Sequence, residues 1–313
     1  MRLLVTSRSF GSGRVDFGSQ LAANGHQVVT GPAGHDLATL AAELAGVDAW
    51  IAGTGPVTAA HLAAAPKLKV VARYGVGVEA VDLAAAAARG VVVTNTPGAN
   101  SGAVADHVLG LLLAAARHIV EGDRKVRLGD WGVLRGRELG AMTIGIWGFG
   151  RIGQGVARRL GGFGSRVLAC DPYLTVEQAR ALDVSKASPA EMAECDAVSL
   201  NAPGGSTLVS ADWLAGVRPG LLLVNSARAD LVDEQALALA LRDGRVASYA
   251  ADSLNGDTAA NDSPLLAKDF ASRVVVTPHL GAQTVEAIDE MGRMAVENAL
   301  AVLTGRPPLN PVG

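Results

Sequence analysis

The chain has 313 residues, 49% hydrophobic, 18% charged and 4% aromatic, with a net charge of −3. That length predicts about two domains, and that apolar fraction supports a sizeable core and excludes a disordered chain. There is no long basic run, which disfavours a nucleic-acid or anionic-membrane partner. The longest apolar run, from Leu109 to Val120, is broken by Arg117 and His118 and is too short to span a bilayer. Met1 to Arg8 lack the apolar stretch of a signal peptide, so a cytoplasmic address is expected. Cys170 and Cys195 each sit beside an apolar stretch that reads as a strand end. They are expected to be small buried thiols rather than a disulfide, and no cluster of metal ligands accompanies them.

In chain order, apolar runs at residues 3–6, 27–30, 49–52, 69–73 and 91–94 read as strands, separated by alanine-rich helices such as 37–45 and 59–65. Strands alternating with helices predict a parallel sheet, here in a small α/β domain. Asn100-Ser101 is an N-cap pair for a long apolar helix over residues 104–120 that suits a bridge between domains. A charged, glycine-rich excursion with Trp131 follows over 121–140. A second series begins at Met142, with strands at 142–147, 165–170, 196–200, 221–225, 248–252 and 273–277, and helices at 151–160, 176–181, 211–217 and 234–241. Six strands with crossover helices suit a dinucleotide-binding sheet. In the tail, 284–303, Val285, Ile288, Met291, Met294, Ala295 and Val296 recur at helical spacing.

Gly148-Phe149-Gly150-Arg151-Ile152-Gly153 fits the pattern G-x-G-x-x-G. In a chain with 38 glycines the match alone is weak. Its context is specific: the strand Thr143-Ile144-Gly145-Ile146-Trp147 runs into it, and the helical pattern Ile152, Val156, Leu160 runs out. Gly148 then makes the tight turn, Gly150 admits a pyrophosphate to the backbone, and Gly153 lets helix pack on strand. The helix N-terminus offers free N–H groups to the phosphates. Asp171, 18 residues beyond Gly153, ends the next strand. A carboxylate there accepts from ribose hydroxyls and repels a 2′-phosphate, which favours NAD over NADP.

Reduction of a carbonyl by a nicotinamide cofactor needs a cation where the substrate carries a carboxylate, a proton donor for the carbonyl oxygen, and a group that keeps the donor protonated and oriented. Such groups belong at the C-terminal ends of parallel strands. Arg228, in Asn225-Ser226-Ala227-Arg228, fits the first role, since a guanidinium grips a carboxylate with two bonds. A surface ion pair is its alternative. His279, in Thr277-Pro278-His279-Leu280-Gly281-Ala282, is the one histidine of six placed for the second, a turn cap being its alternative. Spacing alone reads Asp257 as a solvated loop aspartate.

Five segments carry a resemblance along nearly the whole chain: LKVVARYGVGVEAV from Leu68, RGVVVTNTPGAN from Arg89, TIGIWGFGRIG from Thr143, VNSARADLVDEQAL from Val224 and VTPHLGA from Val276. Together they resemble the D-isomer-specific 2-hydroxyacid dehydrogenases, in particular the phosphoglycerate dehydrogenase-like branch. The resemblance implies two Rossmann-like domains with parallel sheets. One is a smaller flavodoxin-like substrate-binding domain (1–99 plus 284–313), the other a larger NAD-binding domain (100–283). It implies an Arg228, Asp257, His279 catalytic set, with Asp257 standing 29 residues after the arginine where the family has glutamate. Backbone amides at Val76 and Gly77 are implied to hold the substrate carboxylate beside Arg228 and His279. Cofactor contacts carried over are Arg151, Ile152, Asp171, Ala202, Ser226, Ala227, Asp252, His279 and Gly281, besides Arg228, with Asp252 accepting from the nicotinamide amide.

The sequence departs from the family pattern in several places. Ala229-Asp230 replaces a glycine-containing step, Asp106 replaces a glutamate, Gly53-Thr54-Gly55-Pro56 lacks basic residues, and no regulatory domain is expected beyond Gly313. The partners expected are a small 2-oxo or 2-hydroxy acid and a second copy of the chain. The homodimer contact is implied at the long helix and at residues 123–136. Two other readings remain: a non-enzymatic NAD(H)-sensing module, and a different NAD-linked oxidoreductase.

Overall fold

Short runs of valine, isoleucine, leucine and alanine form the strands, and every pair of strands runs parallel. The computed structural model describes residues 1–255 and 262–312, so Asp257 lies outside the described residues. Contacts divide the chain into two units, Met1–Ala103 with the stretch from Ala282 onward, and Val104–Gly281.

In the first unit, β1 (Arg2–Val5), β2 (Gln27–Thr30), β3 (Ala49–Ala52), β4 (Val70–Arg73) and β5 (Val92–Thr94) form one sheet. Their order, β2-β1-β3-β4-β5, is the flavodoxin-like one. Alternate residues go to opposite faces. Leu3, Val5, Ala49, Ile51, Val70 and Ala72 pack on one, and Leu4, Trp50, Ala52, Val71 and Val93 on the other. Burial on both faces is why these strands read as unbroken apolar runs. The C-terminal helix Val285–Leu303 brings Ala287, Met291, Ala295, Ala299 and Leu303 to the first face at steps of four. Gly292 admits the Phe17 ring, whose carbon would lie 2.4 Å from an added Cβ.

A buried polar network ties β1 to β3 in this unit. The Thr6 hydroxyl accepts from the Trp50 indole at 2.9 Å and faces Nε2 of His35 at 2.6 Å, while Nδ1 of His35 faces the Pro56 carbonyl at 3.1 Å. The carbonyl only accepts, so His35 carries its hydrogen on Nδ1, and its Nε2 accepts from Thr6. Burial pushes the His35 imidazole down to about 4. The unfolded chain, with an ordinary value near ~6.5, takes up the proton first, so this contribution is complete above pH ~6.5 and is lost as pH falls toward ~4. The loss expected across that window is about 3 kcal/mol. Urea unfolding of wild type and His35→Gln at several pH values measures it. Equal pH dependence in the two proteins would contradict it.

In the second unit, β6 (Thr143–Trp147), β7 (Arg166–Cys170), β8 (Ser185–Lys186), β9 (Ala197–Leu200), β10 (Leu221–Asn225), β11 (Val246–Ala251) and β12 (Val274–Val276) form the other sheet, in the order β12-β11-β10-β9-β6-β7-β8. The order reverses at β6, which pairs with β7 on one side and β9 on the other. A crevice outside the strand ends at such a switch point is where open α/β sheets bind ligands.

Three features differ from the sequence reading. The sheet has seven strands rather than six, because β8 is two exposed polar residues held by pairing with Leu168 and Ala169, with no apolar run to reveal it. The long helix is Ser101–Arg117 and stops short of Val120. His118 adopts φ +53, and a second helix, Ile119–Arg127, leaves at 60°. The charged excursion therefore begins as a helix, braced by Arg124 to Glu121 at 2.7 Å and Arg127 to Asp123 at 2.8 Å. Among the described residues no single helix is long and apolar enough to cross a membrane. Both cysteines are free and buried, and burial pushes the Cys195 thiol up to about 11.

Candidate active site

The glycine turn follows β6 and opens the helix Arg151–Gly161, whose N-cap, Gly150, supplies no side-chain bond. The first-turn N–H groups of that helix are thus left to backbone, water or ligand. At Gly148, φ is +92 and an added Cβ would lie 2.5 Å from the Ala202 nitrogen; at Gly153 it would lie 2.2 Å from the Gly148 carbonyl. At Gly150 it would meet nothing within 4 Å. Two of the glycines are thus demanded by close packing, while the third faces open space.

Asp171, just beyond β7, accepts from the Phe149 N–H at 2.7 Å and the Tyr173 N–H at 2.8 Å, one on each oxygen. Each oxygen keeps a lone pair for a further donor. Ser226 Oγ and Asn201 Oδ1, in the loops after β10 and β9, are buried with no hydrogen-bond partner among the described residues. A turn open at its middle glycine, a carboxylate with spare acceptors and two unsatisfied buried polar atoms fit a dinucleotide: its pyrophosphate on the turn, its ribose on Asp171.

The loops after β10, β11 and β12 leave the same edge of the sheet, and β11 pairs with both neighbours. The segments bearing Arg228 and His279 therefore start two strand spacings apart, about 10 Å. Asn225 shapes the first segment: its Oδ1 accepts from the Ala227 N–H at 3.0 Å and its Nδ2 donates to the Arg228 carbonyl at 2.8 Å. Arg228 itself donates to the Ala227 carbonyl at 3.0 Å.

Asp252 organises the second segment. Its carboxylate accepts from Leu280 N–H and Gly281 N–H, each at 2.7 Å, from the Thr277 hydroxyl at 2.5 Å and from His107 Nε2 at 3.1 Å. Its backbone carbonyl accepts from the His279 N–H at 3.0 Å. Burial works to raise the Asp252 carboxyl, but the bonds from His107, Thr277, Leu280 and Gly281 outweigh it and hold the group below the ordinary carboxylate range. At Gly281 an added Cβ would lie 2.9 Å from this carboxylate, so a side chain there would displace it.

The residues expected around the cofactor thus lie at one edge of the second sheet: Gly148 and Gly150 in the turn after β6, Arg151, Ile152 and Gly153 in the first turn of the helix it opens, and, in the loops, Asp171 after β7, Ala202 after β9, Ser226 and Ala227 after β10, and Asp252 after β11. Val76 and Gly77 belong to the first unit, in the loop after β4, where Val76 accepts from Asn95 Nδ2 at 2.8 Å. Sequence reasoning missed His107 and Thr277. The signal available for His107 was a lone imidazole inside the apolar run of Ser101–Arg117.

Sheet order and glycine turn together define a dinucleotide-binding protein of the Rossmann class. Residues 109–281 match the family described as D-isomer specific 2-hydroxyacid dehydrogenase, NAD binding domain. The chain belongs to this family, and its second unit is the NAD-binding domain. It is 42% identical over 298 residues to a D-3-phosphoglycerate dehydrogenase of Mycobacterium leprae (strain TN), covering 92% of this chain and 55% of that one. The chain thus spans about half the length of that relative. A glyoxylate reductase of Korarchaeum cryptofilum (strain OPF8) is 37% identical over 268 residues, covering 82% of this chain and 80% of that one. The crystal structure of the TT0316 protein from Thermus thermophilus superposes with a TM-score of 0.90 at 36% identity, covering 100% of both chains.

Proposed function

We propose that the chain is an NAD-dependent dehydrogenase acting between a small D-2-hydroxy acid and its 2-oxo acid. The observation that carries this reading is the shared sheet edge. Arg228 and His279 leave strands that flank β11, on the same edge as a turn that fits the dinucleotide. Bound NAD supplies a hydride donor and acceptor. Arg228 holds the substrate carboxylate through its planar fork, and the backbone amides of Val76 and Gly77 are its proposed second anchor. The first unit is accordingly the substrate-binding one. His279 gives a proton to the carbonyl oxygen in reduction and removes it from the hydroxyl in oxidation. Asp257 is the proposed partner that stabilises the imidazolium. Asp252 is proposed to accept from the carboxamide of the cofactor through Oδ2, which has one internal donor against three on Oδ1. NADH absorbance followed across a panel of small 2-oxo acids tests the reading. Turnover of at least one is expected, and binding of NADH without turnover of any supports a sensing module instead.

Asp171 is expected to set the cofactor preference. Asp171→Ala should raise the KM for NADH about 10-fold, the scale of a lost bond to a charged group, and narrow the gap to NADPH. Steady-state kinetics with both cofactors measures this, and an unchanged preference would remove Asp171 from the site.

We also propose a homodimer through the segment after the long helix. Ile119, Val120, Val126 and Leu128 are exposed there, with Trp131 79% and Val133 95% exposed. Contiguous exposed apolar surface marks an interaction face. Light scattering should give twice the chain mass of 31.8 kDa, and Trp131→Asp with Val133→Asp should shift it toward one. A wild-type monomer at micromolar concentration would contradict the assembly.

A further inference from the structure

We propose that His107 is a positioning residue that holds the His279 segment in shape through Asp252 and Thr277. This rests on the reading of His279 as the acid–base group.

His107 projects from the helix Ser101–Arg117, and its Nε2 lies 3.1 Å from Oδ1 of Asp252 and 2.9 Å from Oγ1 of Thr277. The carboxylate only accepts, and the Thr277 hydrogen is already committed to the same Oδ1. Nε2 of His107 therefore carries a hydrogen and donates it. Through Asp252 that donation reaches three consecutive N–H groups: His279 to the backbone carbonyl, Leu280 to Oδ1 and Gly281 to Oδ2. His279 sits at φ +56, a left-handed conformation that a side chain larger than glycine adopts at a cost and keeps only where its surroundings impose it. The bonds to Asp252 on and beside His279 impose it, and His107, from its helix, and Thr277, just past β12, fix the direction of that carboxylate. His107 touches none of the reacting atoms in this scheme; it acts by keeping the imidazole of His279 where a carbonyl oxygen meets it.

Displacement of a reacting group by about 1 Å costs on the order of 100-fold in rate. His107→Ala should therefore lower kcat roughly 10- to 100-fold while leaving the KM for the 2-oxo acid within about 3-fold. His107→Gln, which still offers an N–H, should recover most of the loss. Amide hydrogen exchange in the cofactor-free protein supplies the readout that needs no turnover. Leu280 and Gly281 should exchange about 10-fold faster in the alanine variant and near wild type in the glutamine variant, with the β6 and β10 amides unchanged.

Unchanged protection at Leu280 and Gly281, protection lost across the whole second unit, or faster exchange there with undiminished kcat would each overturn the proposal. Should wild type turn over no 2-oxo acid while exchange follows the expected pattern, the dehydrogenase reading fails and the hold of His107 on the loop stands. The two failures are thereby distinct.

Discussion

Replacing His279 with asparagine is expected to lower kcat about 10²- to 10⁴-fold, the usual contribution of a positioned acid–base group. Asparagine is the informative substitution because the backbone there has φ +56, which asparagine tolerates better than most side chains. The N–H bonds from positions 279, 280 and 281 to Asp252 are then kept, and only the imidazole is lost. NADH affinity, followed by fluorescence titration, should change by no more than about 3-fold, since the glycine turn and Asp171 are untouched. A large fall in kcat with binding intact separates proton transfer from folding and cofactor capture. A His279→Asn protein with wild-type turnover would remove His279 from the chemistry.

The second large effect is expected at Arg228. Its alanine variant removes the cation that matches a carboxylate, and kcat/KM for the 2-oxo acid should fall about 100-fold or more, the scale of a lost bidentate, charge-assisted pair. Arg228→Lys keeps the charge without the fork and should recover only part of the loss. The folded state should tolerate both, because Asn225 holds the backbone of residues 227 and 228 in addition to the guanidinium bond to the Ala227 carbonyl that the alanine variant loses. Steady-state kinetics with melting temperatures alongside separates the two effects. Full activity in the lysine variant would mean that charge alone is used, and full activity in the alanine variant would remove Arg228 from substrate binding.

Much of the fold was legible because parallel strands covered on both faces leave a continuous apolar signature, seen in β3, where all four residues are buried. The cofactor turn was legible because Gly148 and Gly153 are required by backbone contact, which leaves no room for another residue. What hydropathy does not encode was missed. β8 is held by backbone pairing of two polar residues. The helix break at His118 is one residue in a left-handed conformation with no proline or glycine to announce it. Asp252, expected as a cofactor contact, also bonds His107 across a sequence separation of 145. Pairing at that range is a property of the folded sheet, and nothing local to either residue signals it. Asp257, the third member of the expected catalytic set, lies outside the described residues and rests on the family resemblance.

The most direct measurement follows the hydrogen itself. With NADH deuterated at C4 of the nicotinamide on the face that is transferred, the 2-hydroxy acid formed from a 2-oxo acid should carry one deuterium at C2 and have the D configuration. A product without deuterium at C2, or no product from any 2-oxo acid despite bound NADH, would contradict hydride transfer at this site.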